Sequence, residues 1–319
     1  MLRLYKAIWR HTARQQITLL VLSIIVAGLA AVPLDYQKEI INGLSNGMSY
    51  EELLVLGTEM AGIILLSLSI KWLLGYQSGI VGELVINRLR KVIYSDSVRP
   101  AGTPGDGIAK GTLSNLISTE SETIGKFVGN AVAEPVLQWG TMFSVIGYIA
   151  ATQPRLGLIV VAIVVPQAIL VLSTQYKINK LVRERVLLLR QSLNTITNSQ
   201  LEQMKQSVLE DFDAIYNARR RIFIWKLSTK FILSSLNGLG LVSVLVLGGW
   251  LVLEGKSDVG TIVAATVGLN RIQQPWRLLV TFYRNLSAVQ VQYELMRNLL
   301  DRLEKEKDAG EATPSGNVL

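Results

Sequence analysis

Leu53–Tyr94 reads LLVLGTEMAGIILLSLSIKWLLGYQSGIVGELVINRLRKVIY. Its first part, Leu53–Tyr76, is apolar. About 20 helical residues cross the roughly 30 Å of bilayer hydrocarbon, so this part is long enough to span. The second part changes character without a break. From Gly82 to Tyr94, Leu84, Ile86, Leu89 and Ile93 stay apolar while Arg88, Arg90 and Lys91 are charged, which is a helical pattern. The stretch therefore predicts one helix that leaves the membrane and runs on into water.

Five further stretches are apolar over a similar length: Ile17–Leu34, Phe127–Ala151, Leu156–Thr174, Phe231–Leu253 and Val259–Phe282. With the N-terminus in the cytoplasm and six crossings, the N-terminal arm, residues 77–126, residues 175–230 and the tail after 283 carry 26 of the 32 Lys and Arg. Residues 35–52, 152–155 and 254–258 carry only Lys38, Arg155 and Lys256; Lys71, Arg271 and Arg277 fall inside spans. Basic side chains stay on the cytoplasmic side during insertion. The expectation is an all-α membrane protein: six transmembrane helices with long cytoplasmic helical extensions, both termini cytoplasmic. Backbone groups in lipid must be satisfied within the segment, and strand-length alternation is absent, so helices are the only option. The chain is 50% hydrophobic with a mean hydropathy of +0.35. Its net charge of +8 follows the topology and suits anionic inner-leaflet lipid, not nucleic acid.

The expected organisation is a basic cytoplasmic arm over 1–16, a six-helix domain over 17–300 and a short disordered tail over 301–319. Arg3, Lys6, Arg10 and Arg14 before an apolar run ending Ala27-Gly28-Leu29-Ala30-Ala31 resemble a signal peptide. The run is long for one and Pro33 lies close to the cut, so an uncleaved first span is the reading. There is no cysteine, which excludes disulfides and thiolate metal sites. The one histidine, His11, lies in the basic arm. Cys–His, Ser–His and zinc chemistry therefore have no constellation to work with. The carboxylates Glu120/Glu122 and Glu210/Asp211/Asp213 sit among Lys and Arg and read as solvated helix faces.

The outward connections are short and the inward ones run to about 50 residues, too long for structureless loops in a compact protein. Residues 111–125, with Leu113, Leu116, Ile117 and Ile124 at helical spacing, lead into the third span, and Gln175–Arg221 is a long amphipathic region. Each inward pair forms an arm. The first arm's tip is Arg99–Gly107, where Pro and Gly concentrate. The second is placed near Gln200–Ser207.

With those arms in view, Arg88-Leu89-Arg90, Pro100, Gly111, Ser114-Asn115-Leu116 and Glu120 resemble the first-arm pattern of the ABC exporter membrane domain. Leu251–Thr261 (LVLEGKSDVGT) is similar to that family's connection into its last span, and Pro275 matches a proline common there. The resemblance covers about residues 10 to 300. It implies a dimer of six-span units, homodimeric or with a similar chain, whose arm tips dock on ATP-binding domains. Pro100, Thr103 and Asp106 on the first tip, and Gln200, Glu202 and Gln203 on the second, are then the motor-coupling candidates. Here the chain departs from the family. Residues 283–319 are too few for a nucleotide-binding domain of ordinary size. The nearest phosphate-loop decoy, Gly105–Thr112, has Lys and Gly in the wrong order. No cofactor is expected in this chain; ATP and Mg belong to a separate subunit. The first tip also lacks the paired aromatics of many exporters.

Residues for substrate lie inside the membrane. Thr266, Asn270, Gln273, Arg277, Thr281 and Arg284 fall on one face of a helix at 100° per residue. An arginine in lipid costs about 3 kcal/mol, so this stripe is expected to face a water-filled cavity or a partner subunit. Lys71 and Glu134 are similar cases, and Gly75-Tyr-Gln-Ser-Gly79 reads as helix packing. The expected function is the permease subunit of an ATP-driven exporter in the bacterial inner membrane, surrounded by lipid and moving a small molecule, lipid or peptide, with a tilt toward polar or anionic amphiphiles. The alternative is a motor-less binding or regulatory protein on the same fold.

Overall fold

The computed structural model describes residues 2–97, 114, 116–198 and 205–311. Among them there are helices and no strand. In chain order the helices are α1 (Leu2–Leu29), α2 (Val32–Ser45), α3 (Tyr50–Ser97), a π turn at Leu116–Glu120, α4 (Ser121–Asn130), α5 (Ala133–Thr152), α6 (Pro154–Asn198), α7 (Lys205–Leu253), α8 (Val259–Arg271) and α9 (Gln273–Glu311). Four helical segments are long and apolar enough to cross a membrane: Leu4–Ser45, Tyr50–Ser95, Pro154–Val182 and Leu209–Leu253.

Proline sets three of the breaks, although Pro166 lies inside the continuous helix α6. A proline has no N–H for the carbonyl four residues back, and its ring crowds that carbonyl. Four residues before Pro33 is Leu29, where α1 ends; four before Pro135 is Ala131, just past the end of α4; four before Pro275 is Arg271, the end of α8. The third and sixth apolar stretches are therefore each cut in two. That cut, and the polar Glu134 and Gln138 in the first turns of α5, keep both out of the four long candidates. Pro154 opens α6, where its missing N–H costs nothing.

Other boundaries follow from capping. Ser49 and Glu52 form a reciprocal capping box at the start of α3, with Glu52 N–H to Ser49 Oγ at 3.3 Å and Ser49 N–H to Glu52 Oε2 at 3.2 Å. Gly47 (φ 82°) and Gly255 (φ 69°) take the left-handed conformation that closes α2 and α7. The stretch 35–52, expected as a loop, is mostly helix, because α2 runs to Ser45. The expected continuity of the first arm holds, since α3 is unbroken for 48 residues. α9 extends to Glu311, into the stretch read as a disordered tail; its sequence there, DRLEKEK, is made of strong helix formers.

The chain divides into two compact units. The first comprises Met1–Tyr36, Ser49–Val145 and Gln274–Leu319. Its core joins Leu4, Ile8, Ile93, Phe127, Phe282 and Leu286, with a second cluster around Leu19, Leu74, Val81 and Leu137. The second unit comprises Gln37–Met48 and Ile146–Gln273, and is built on the α6–α7 pair with α8 packed on α7.

Candidate functional site

In the second unit, four carboxamides from α6, α7, α8 and the start of α9 converge among apolar residues. Gln273 Nε2 donates to Asn237 Oδ1 at 2.9 Å and to Gln167 Oε1 at 3.4 Å, and Asn237 Nδ2 donates to Asn270 Oδ1 at 3.4 Å. Gln167 is 1% exposed, and its Nε2 has no partner. Unpaired buried polar groups are costly, so one amide donor with nothing to donate to is an opening for an acceptor. Close by in sequence, the Thr266 hydroxyl is also buried without a partner. Glycine lets the helices approach here: a Cβ on Gly240 would meet the Ile163 side chain of α6 and Leu269 of α8.

A second feature of this unit is a polar clasp. Asp258 caps α8, accepting from Thr261 N–H at 2.7 Å and Thr261 Oγ1 at 3.0 Å. Asn42 of α2 donates to the same carboxylate at 2.7 Å and accepts from Gly260 N–H at 2.8 Å. Burial works to raise the Asp258 pKa, but the hydrogen bonds from Asn42 and Thr261, with Lys38 nearby, outweigh it and hold the carboxyl below its ordinary value. Gln153 Nε2 donates to the Lys256 carbonyl at 3.1 Å.

In the first unit, α4, the start of α5 and α9 line an open-sided cavity of about 440 Å³. Its lining includes the stacked pair Phe127 and Phe282, with centroids 5.5 Å apart, and the polar Lys126, Asn130, Glu134, Thr281 and Asn285. The proline break beside it is itself satisfied. The Ala131 carbonyl, which Pro135 leaves without its helical donor, accepts from Tyr5 Oη at 3.3 Å. Gln16 Nε2 reaches the Val128 carbonyl at 2.9 Å, and Arg90 Nε reaches the Ile117 carbonyl at 3.0 Å.

Residues 17–276 match the family model for the ABC transporter transmembrane region. The chain belongs to that family. It is accordingly a multi-pass membrane protein, and ABC transmembrane regions generally pair with nucleotide-binding subunits and form dimers. No curated protein matches the chain.

Against this ABC transmembrane framework, the predicted stripe is split. Asn270 and Gln273 join the carboxamide cluster, and Thr266 lies half-buried on the same helix, α8, as Asn270. Thr281 lines the cavity of the other unit and donates to the Arg277 carbonyl at 2.9 Å; Arg277 and Arg284 are exposed. One continuous face assumed one straight helix, and the Pro275 break removes that assumption. Pro100, Thr103, Asp106, Gln200, Glu202 and Gln203 lie outside the described residues. Lys71 and His11 are exposed. Sequence reasoning missed Gln167 and Asn237. The signal was there, since each is an isolated carboxamide in an otherwise apolar run and needs a partner.

Proposed function

We infer that this chain is the six-span permease subunit of an ATP-driven exporter in the plasma membrane, with both termini cytoplasmic. It works as a homodimer or with a similar chain, driven by ATP-binding domains outside these 319 residues. The observation that carries the six crossings is the sorting of contacts within each unit. Asn42 of the first outward connection bonds Asp258 of the third at 2.7 Å. If the third apolar stretch did not cross, Asn42 and Asp258 would lie on opposite sides and could not meet. Likewise Phe127 and Phe282, at the inward ends of the third and sixth stretches, stack at 5.5 Å. If the sixth did not cross, Phe282 would be outside and Phe127 inside.

The carboxamide cluster then lines the substrate path, and the arm tips, from Pro100 to Asp106 and at Gln200–Gln203, couple it to the motor. The test is purification of the tagged full chain from native membranes after crosslinking. A dimer that carries an ATP-hydrolysing subunit is expected. Recovery of monomer alone, with no nucleotide hydrolysis, would replace the exporter reading by that of a motor-less membrane protein. In reconstituted vesicles, Gln273→Leu should impair transport more than Arg271→Ala does; equal rates in both would remove the cluster from the path.

A further inference from the structure

The cavity between α4, α5 and α9 differs from the carboxamide cluster in the state of its hydrogen-bonding groups. Four of its lining donors are already committed. Lys126 Nζ is held by Glu122 at 2.5 Å, and each residue of the pair stabilises the other's charge, lowering the Glu122 pKa and raising that of Lys126. Asn130 Nδ2 donates to the Lys126 carbonyl at 3.3 Å, Thr123 Oγ1 to the Thr119 carbonyl at 2.8 Å, and Thr281 Oγ1 to the Arg277 carbonyl at 2.9 Å. Among the acceptors, Asn130 Oδ1 takes a hydrogen bond from Ser78 Oγ at 2.8 Å. Glu134 takes one hydrogen bond, from Gln138 Nε2 at 3.1 Å, and among the described residues no lysine or arginine pairs with it. A carboxylate accepts about four hydrogen bonds, so most of its capacity is open.

Lys126 lines the same cavity but is paired with Glu122, which leaves the half-buried Glu134 as the lining carboxylate without an ion pair among the described residues, and a positive group entering would supply one. The aromatic lining suits the same visitor. Aromatic rings attract cations, and the stacked pair Phe127 and Phe282 is part of the cavity lining. Its volume of about 440 Å³ lies within the range of small-molecule sites.

The geometry points to a binding site for an organic cation, an ammonium group on an apolar body, with Glu134 as its countercharge and the Phe127–Phe282 pair against its substituents. The charge is opposite in sign to the anionic preference that the arginine-bearing stripe alone suggests. The site does not depend on a motor, so it stands or falls separately from the exporter reading. The ammonium has two sources, an amine-bearing lipid headgroup or a free cationic amphiphile, and the experiment distinguishes them.

The full chain is reconstituted in phosphatidylglycerol nanodiscs and titrated with tritiated dodecyltrimethylammonium. Saturable binding is expected, weakened about ten- to a hundredfold by Glu134→Gln, the scale of one charge-assisted contact. Lys126→Gln frees Glu122 and removes a competing cation, so it should tighten binding severalfold; an anion site would respond in the reverse direction. Doping the discs with phosphatidylethanolamine should displace the probe if lipid headgroups fill the site, and leave it bound if a free amphiphile does. Ala288→Trp, which adds bulk to the lining and keeps the Glu134 carboxylate, should abolish saturable binding and serves as the second variant should Glu134→Gln not fold. Unchanged affinity in a folded Glu134→Gln or Ala288→Trp protein, or competition by dodecyl sulfate, would overturn the assignment.

Discussion

Helix α3 carries two small-residue faces about 60° apart, and they behave differently. Gly75 and Gly79 have the spacing associated with close helix packing, yet a Cβ on either would meet nothing within 4 Å. Ser78 and Gly82, three residues further along, are buried against Gly125 and Gly129 of α4. A Cβ on Gly82 would sit 3.1 Å from the Gly125 carbonyl, and one on Gly129 would collide with the Ser78 carbonyl. Ser78 Oγ also donates to Asn130 Oδ1 at 2.8 Å across this crossing. The lesson is that spacing alone does not make an interface. What distinguishes the packed face is a matching pair on the second helix, Gly125 and Gly129, which gives close approach on both sides.

The strongest way to break this comparison is Gly129→Leu. Its side chain cannot be accommodated by a rotamer change, because the obstacle is the backbone of α3. Overpacking of this kind costs about 3 kcal/mol or more. Loss of folded protein on detergent extraction, or a large fall in the thermal midpoint, is the expected result; a midpoint within a degree of the parent would show that α3 and α4 are not in close contact.

Second in size is Asp258→Ala, at a contact made by charge and hydrogen bonds, not by shape. It removes a helix cap and leaves the Asn42 amide without its acceptor, for about 2 kcal/mol together. The pH dependence sharpens the point. The folded-state pKa of Asp258 is below its ordinary value of 3.8, so its contribution is fully present above that value and is lost as pH falls through the lower, folded-state value. Acid unfolding curves of the parent should therefore show an extra loss of stability below about pH 4 that Asp258→Ala lacks. Parallel curves would mean that the clasp is open in solution.

The comparison of the two α3 faces also indicates what was legible before the structure. Properties carried by one segment were legible. The apolar run of α3, its continuation as an arm and the family pattern at Arg88-Leu89-Arg90 are local. The structure adds that Arg90 Nε reaches the Ile117 carbonyl in the π turn at 3.0 Å. Properties that need two segments were not. Pro33, Pro135 and Pro275 each announce a break four residues upstream, but a helical wheel drawn over Thr266–Arg284 presumed a straight helix and so merged residues that belong to different units. Gln167 and Asn237 announce only that a partner is needed. The partner, Gln273, is 106 residues from the first and 36 from the second.

Tyr5→Phe tests one such distant pairing. The hydroxyl serves the carbonyl that Pro135 orphans at Ala131, across 126 residues of sequence. Removing it leaves that carbonyl without its partner while keeping the ring, so a loss of about 1 kcal/mol is expected, read as a modest drop in midpoint with unchanged expression. Restoring a backbone donor with Pro135→Ala should cancel that loss, because the substituted residue's N–H can then bond the Ala131 carbonyl. If the double variant is no more stable than Tyr5→Phe alone, the hydroxyl's role is not to serve that carbonyl.

The smallest expected effect is on the open face. Gly75→Ala and Gly79→Ala add methyl groups where nothing stands within 4 Å, and both residues are exposed mid-helix. Alanine restricts the unfolded backbone more than glycine does, which favours the helix by about 0.5–1 kcal/mol per position in water. The bilayer already holds the segment helical, so the gain should be at most that. A midpoint equal to or slightly above the parent's is expected for the double variant, in contrast to Gly129→Leu. The comparison fails if the two alanines destabilise the chain by more than about 1 kcal/mol, the scale of a core overpacking defect. Another helix would then have to lie against Gly75 and Gly79, and the face described as open would be an interface after all.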